Sequence, residues 1–303
     1  MSLLFGARPA GGFVKITNTL LLPQALVEAV ANDPYTKGRA DLSVTQIIKP
    51  MRAVVLEEAH RDEIVEDVSD RLWSLYGQVM HGILERSNKD NVVVTERRLY
   101  MEVDGMVISG GMDHYNLVSG HLIDWKFTTS WKFTGNKDLE DWTQQVNCYA
   151  ELLRVNGHKI ESLEIIGILR DWSKNEARRN PEYPQKQVVR KSMPLWPREE
   201  VLSFIRTRIQ DYKNAKEQLP TCSDKERWST GGSKWAVTEA SALKAIKQHG
   251  SEEEALKHRD NLQNKYQAKN YSVEFRPAEN KRCDSFCSAA PFCSQYKQLK
   301  SEK

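Results

Sequence analysis

The sequence predicts an α/β fold of the α+β kind, and three observations carry the prediction. Apolar residues recur at helical spacing up to about Asn91. From Asn91 the texture changes to β-rich runs separated by the turn signals Asp104-Gly105 and Ser119-Gly120. A helical run and another strand-like run follow, so the order is helix, three strands, helix, strand.

Each element has its own signal. LLPQALVEAVAND has proline near its start and an amphipathic pattern after it. SVTQIIKPMRAVVLEEAH is helical with an interruption at Pro50. DVSDRLWSLYGQVMHGILERS places Val68, Leu72, Leu75, Val79 and Leu84 at helical spacing. NVVVTERRLYMEV, GMVISGGMDHYNLV and HLIDWKFT read as an antiparallel meander. KDLEDWTQQVNCYAELLRVNG is a helix with glycine just past its end. ESLEIIGILRDW and KQVVRKSMPLW read as strands, and a long helix follows from Pro197 to about Gln218. Beyond Thr221 a strand (KWAVTEA), a charged helix (SEEEALKH) and a strand (YSVEFRP) lie among four of the five cysteines. The expected division is an N-terminal helical region (1–70), a core with its following helix (71–220) and a C-terminal cysteine-bound module (221–303).

The totals limit the function. With 303 residues, 40% apolar and 28% charged, the chain can bury a real core. A net charge of +3 is too small to argue for nucleic acid, so any basic surface has to be local. No apolar run reaches the roughly 18 residues of a membrane span, and MSLLFGARPAGG lacks the pattern of a secretory signal. A cytoplasmic protein is expected, with no membrane partner. Its cysteines then serve metal binding more readily than disulfides.

Chemistry gathers in the strands. Asp124 and Lys126 in HLIDWKFTTS share one face of a strand, because side chains alternate. Asp113 lies on the strand before, where an adjacent antiparallel partner brings two carboxylates within reach of one ion. Hard cations such as Mg²⁺ take such oxygens, and a lysine beside them steadies a phosphate. An exposed salt bridge is the competing reading. Gly77, His81 and Glu85 fall on one helix face, where Gly77 would allow close backbone packing and His81 is either a ligand or a structural residue. Gln145 and Tyr149, also one turn apart, either address the same substrate or belong to a helix surface and the core.

These residues, with Glu96 on the first strand, form an ordered set: G-x3-H at Gly77–His81, Glu96, G-x-D at Gly111–Asp113, D-x-K at Asp124–Lys126 and Q-x3-Y at Gln145–Tyr149. Over roughly residues 70–171 the set resembles the PD-(D/E)XK nuclease superfamily. It is most similar to the RecB-like exonuclease branch of bacterial and phage proteins, which includes CRISPR-associated adaptation nucleases. The resemblance implies an αβββαβ restriction-endonuclease-like core. It implies that His81, Asp113, Asp124 and the backbone carbonyl of Trp125 bind Mg²⁺ or Mn²⁺, with Lys126 as the catalytic lysine. Gln145 and Tyr149 then support the active site and contact DNA, and Glu96 matches an acidic position. Glu85 has no counterpart, and Met112 stands where the family name has proline.

Cys283, Cys287 and Cys293 are compact enough for three thiolates to meet, with Cys222 as the fourth. Zinc and an iron–sulfur cluster both accept four thiolates, and inert thiols are the alternative. RecB-like nucleases with a cluster also carry three cysteines after the core, but usually take the first from ahead of it. This chain has no cysteine before Cys148, which reads as a packed apolar residue. Spacing and resemblance favour [4Fe–4S] over zinc. Lys281, Arg282, Lys297, Lys300 and Lys303 could then face DNA, as could Arg97 and Arg98. Trp125, Trp131 and Trp142, with Lys132 and Lys137, are positioned in sequence to stack bases of single-stranded DNA, although at least one tryptophan is expected to be buried. The expected function is a metal-dependent DNA exonuclease in recombination, repair or phage DNA processing, acting on single strands or free ends. A non-catalytic DNA-binding protein and a CRISPR adaptation nuclease working with partner proteins are the rivals.

Overall fold

The computed structural model describes residues 15–32, 37–135, 137–240, 242 and 244–301. It is an α/β protein of two compact units, 1–219 and 220–303. The first contains, in order, β1 (Lys15–Thr17), α1 (Gln24–Ala31), β2 (Leu42–Ser43), α2 (Val44–Ile47), α3 (Met51–Ala59), β3 (Val65–Asp67), α4 (Leu72–Ser87), β4 (Val93–Val103), β5 (Met106–Asn116), β6 (His121–Thr128), α5 (Glu140–Val155), β7 (Ser162–Leu169), α6 (Lys174–Arg179), β8 (Val188–Met193) and α7 (Arg198–Glu217).

Local chemistry sets several of these boundaries. Ser43 and Gln46 close a reciprocal capping box at the start of α2. Pro50 ends that helix and stands at the N-cap of α3. Asp67 accepts from the Thr19 amide, both the amide and hydroxyl of Ser69, and the Thr17 hydroxyl. It thereby ties β1 to the parallel β3. Burial pushes its carboxyl up, but these bonds outweigh burial and hold it well below the usual range.

The main sheet of six strands is built on β5. Along its whole length β4 pairs antiparallel. On the other edge β2 pairs parallel at Ile108–Ser109, and β6 pairs antiparallel only from His114↔Ile123 to Asn116↔His121. Beyond β6 the sheet continues through parallel β7 and antiparallel β8. The three short strands β1, β2 and β3 lie in the region expected to be purely helical. Residues such as Val44, Ile47, Met51 and Val54 from that region enter the same core as β5, α5 and α7. Apolar alternation is hard to see in a pair of residues, and Leu42–Ser43 forms a strand because β5 offers it an open edge.

The second unit holds α8 (Asp224–Arg227), β9 (Lys234–Glu239), β10 (Lys247–His249), α9 (Glu252–Lys265), β11 (Tyr271–Arg276), α10 (Lys281–Ser285) and α11 (Ser294–Ser301). Its antiparallel sheet runs β10-β9-β11, with α9 packed on β9 and β11. Among the described residues, no helix is long and apolar enough to cross a membrane.

Candidate metal centre

The site forms where β5 and β6 part. Their last rung is His114↔Ile123, so Asp113 and Asp124 are the first residues past it on either prong. Past the fork the Trp125 amide has no partner on β5, and Asp113 Oδ2 accepts from it at 2.8 Å. A strand residue points its N–H and C=O to one edge, so the Trp125 carbonyl faces the same opening.

Two further elements converge there. α4 brings His81, whose Nδ1 lies 2.9 Å from Glu96 Oε1 and 3.6 Å from Asp113 Oδ1. Glu96 faces Asp113 across the β4–β5 pair but is left out of the ladder between Thr95↔His114 and Arg97↔Met112. Its φ of 48° is left-handed, which costs a non-glycine residue about 1–2 kcal/mol. That strained backbone accompanies the swing of the carboxylate to His81. Ligand atoms of His81, Glu96 and Asp113 all lie within 4.8 Å of one another.

Asp124 pairs with the lysine two residues along its own strand. Its buried Oδ2 sits 2.6 Å from Lys126 Nζ in a close ion pair. The ammonium also donates to Gln145 Oε1 at 2.7 Å, and Gln145 Nε2 donates to the Tyr149 hydroxyl at 2.8 Å. The result is a relay, Tyr149–Gln145–Lys126–Asp124, that fixes the lysine. Tyr149 can approach because Gly110 has no side chain: a Cβ there would lie 2.7 Å from both Tyr149 Cε1 and Leu152 Cδ1.

The electrostatics suit a cation. Burial, and then the charge of Asp124, push the Asp113 carboxyl well above its usual range. Burial pushes His81 down, but the hydrogen bond it donates to Glu96 and the charges of Asp113, Glu96 and Asp124 outweigh it and raise the imidazole. Carboxylates crowded with an imidazole form a donor set that fits Mn²⁺ or Mg²⁺.

Several expectations change. Glu96 joins the tight group, while Asp124 is held by the lysine beside it. Gln145 and Tyr149 are buried, 8% and 5% exposed, and are hydrogen-bonded in line behind Lys126. Gly77 meets nothing within 4 Å of a Cβ, so it provides no close packing. Glu85 is exposed. Leu72 and Val79, at helical spacing on α4, stand on the surface. None of the three tryptophans is buried: Trp125 and Trp142 are half-buried, and Trp131 is exposed with Lys137 Nζ 4.6 Å from its ring centroid. The shift at Glu96 has no sequence signal, because a left-handed glutamate inside a strand follows from no local pattern.

None of the five cysteines is in a disulfide. Cys148 is fully buried among apolar groups, and burial pushes its thiol up to about 12. In the second unit burial, and then the charges of Cys287 and Cys293, raise the Cys283 thiol. The Gln295 amide clamps the Cys222 backbone, accepting from its N–H at 2.8 Å and donating to its carbonyl at 2.9 Å. Cys222 is thereby tied two residues past Cys293. Among the described residues the cysteines do not form a group of three with ligand atoms within 4.8 Å of one another. Tetrahedral zinc, with Zn–S near 2.3 Å, would set its thiolates about 3.8 Å apart. Of the basic residues, Arg282 lies 4.4 Å from the centroid of Trp228 and Lys300 4.7 Å from that of Tyr296. Arg98 donates to Ser109 Oγ. Arg97, Lys281 and Lys297 are exposed, and Lys303 lies outside the described residues.

No family model matches the chain, and no curated protein matches it. A solved structure, that of SSO0001, superimposes with a TM-score of 0.43 at 16% identity, covering 61% of this chain and 83% of that one. So distant a likeness carries no argument about function.

Proposed function

We propose that this chain is a metal-dependent nuclease that hydrolyses phosphodiester bonds in DNA, of the RecB-like PD-(D/E)XK kind. The convergence of His81, Glu96 and Asp113 beside the Asp124–Lys126 pair carries the reading. A surface cluster of acids is common, but a lysine braced by a buried glutamine against a buried aspartate is not a surface feature. His81, Glu96 and Asp113 would hold the cation, with Asp124 and the Trp125 carbonyl facing the same fork. A divalent cation there supplies a Lewis acid that lowers the pKa of a bound water and offsets charge on the phosphate. Lys126 contributes a donor for a phosphate oxygen, and Gln145 and Tyr149 keep it from swinging into solvent. The imidazole among the carboxylates favours Mn²⁺ over Mg²⁺.

Cys222, Cys283, Cys287 and Cys293 would hold a [4Fe–4S] cluster, whose iron and sulfide separate the thiolates further than zinc does. The exposed Trp131 beside Lys137 supports single strands or free ends as substrate. The setting we propose is the cytoplasm of a bacterial or phage-infected cell, in recombination, repair or DNA processing.

The test is incubation with end-labelled linear and circular DNA, single- and double-stranded, in Mg²⁺ and in Mn²⁺, beside Lys126→Ala. Degradation of linear DNA that chelator and the variant both abolish supports the reading, and survival of circles makes the enzyme an exonuclease. Binding without cleavage under either metal would replace it with the non-catalytic DNA-binding protein.

A further inference from the structure

None of the 16 residues of α4 is buried. Trp73, Tyr76, Val79 and Ile83 leave 60%, 39%, 50% and 41% of their surface in solvent, and a large apolar face of this kind marks a binding surface. Its aromatic part has an order. Trp73 meets Tyr76 edge-on at 6.2 Å between centroids, Tyr76 meets Phe127 at 6.1 Å, and Phe127 meets His81 at 5.4 Å. The ladder therefore runs from solvent to a member of the metal group. At its outer end the exposed Arg170, just past β7, sets its guanidinium 3.9 Å from the centroid of the Trp73 ring. The helix rise of about 1.5 Å per residue separates Trp73 from His81 by about 12 Å. That length spans about three stacked nucleotide steps of about 3.4 Å.

We propose that Trp73 and Tyr76, with Arg170, form a stacking platform that positions a single nucleic-acid strand on its way to the metal group; this rests on the nuclease reading. Aromatic faces accept any unpaired base, whereas bases in a duplex already stack on each other. The guanidinium offers its N–H groups to the phosphates between stacked bases. A second copy of the chain, packed along Leu72, Tyr76, Val79 and Ile83, is the competing occupant. An apolar helix seam does not explain why the ladder ends at His81.

The experiment is an anisotropy titration of a labelled thymidine oligonucleotide and a matching duplex, in chelator so that nothing is cut, using the full chain. Trp73→Ala should weaken single-strand binding about tenfold, with the duplex far less affected. Trp73→Phe should restore most of the loss, and Arg170→Gln, which changes no residue of α4, should weaken single-strand binding about threefold. Thermal stabilisation by Mn²⁺, read on each variant, checks that the metal group and fold remain intact. Single-strand affinity within twofold of wild type in both Trp73→Ala and Arg170→Gln overturns the proposal. So does loss of self-association by sedimentation in Trp73→Ala with oligonucleotide binding unchanged. Because binding is read without turnover, a protein that binds through Trp73 but never cuts refutes the nuclease reading alone. One that cuts and ignores Trp73 refutes the platform alone.

Discussion

Replacing Lys126 by methionine would expose how the centre is balanced. Asp124 is 2% exposed, and the ammonium 2.6 Å away is its counter-charge. Removing one partner of a buried ion pair costs about 3–5 kcal/mol, because the other charge is left in a medium that cannot solvate it. Lys126 keeps 18% of its side chain exposed, so water reaches the pair and the low end applies, about 3 kcal/mol. For a unit of this size each kcal/mol moves Tm by about 2–4 °C, giving a fall of about 6–12 °C. Lys126→Met with Asp124→Asn should recover most of that loss, since the amide needs no counter-charge. Mn²⁺ should stabilise Lys126→Met, and at one hundred times Kd the gain is about 2.7 kcal/mol. The assay is urea denaturation of wild type, both single variants and the double variant in chelator, repeated with Mn²⁺. If Lys126→Met costs less than about 1 kcal/mol and the cycle shows no coupling, the two charges are not a buried unit and the reasoning fails. Cleavage by this variant should fall by a factor on the order of 10²–10³.

Further outcomes follow from individual positions. Glu96→Gly should relieve the left-handed strain and raise stability in chelator by up to about 1 kcal/mol, while weakening the Mn²⁺ thermal shift; a Mn²⁺ shift equal to wild type would remove Glu96 from the ligand set. Gly110→Ala should cost about 1–3 kcal/mol, because a Cβ 2.7 Å from Tyr149 and Leu152 overpacks the core, and a neutral result by thermal melting would show that α5 stands off from β5. Hydrogen bonds from Arg190 depress the Glu164 carboxyl against the opposing effect of burial, and His121 adds another. Its stabilisation is full above the unfolded value of about 4.3 and is lost as pH falls through the lower folded value. Glu164→Gln should therefore be about 1–2 kcal/mol less stable at pH 7, with the gap closing as pH falls below the unfolded value; a gap that does not change with pH in urea melts would refute this.

The chain order of the longer elements was legible because helix and strand periods are properties of short windows, while the short β1, β2, β3 and β10 were not. Apolar spacing marks α5 and α7, and turn residues separate β4, β5 and β6. Asp124 and Lys126 were legible as a pair for the same reason, since alternation puts residues two apart on one face. Alternation said nothing about which carboxylate stays with the lysine and which turns to the histidine. That choice was made by the fork between β5 and β6, where pairing stops after His114↔Ile123 and Asp113 turns to accept the Trp125 amide. Pairing across strands depends on register and edge competition, here from β2 on the same edge of β5, and neither is written in any one segment. Glu96 likewise entered the centre through a backbone conformation that its own residue type disfavours. The helical period of α4 was readable, but what covers its apolar stripe was not, because periodicity gives the direction of a stripe and not its neighbour. Sequence alone thus determined the longer elements and the chemical groups they carry. The tertiary structure decided which groups meet, because contacts between distant segments depend on the packing of the whole unit.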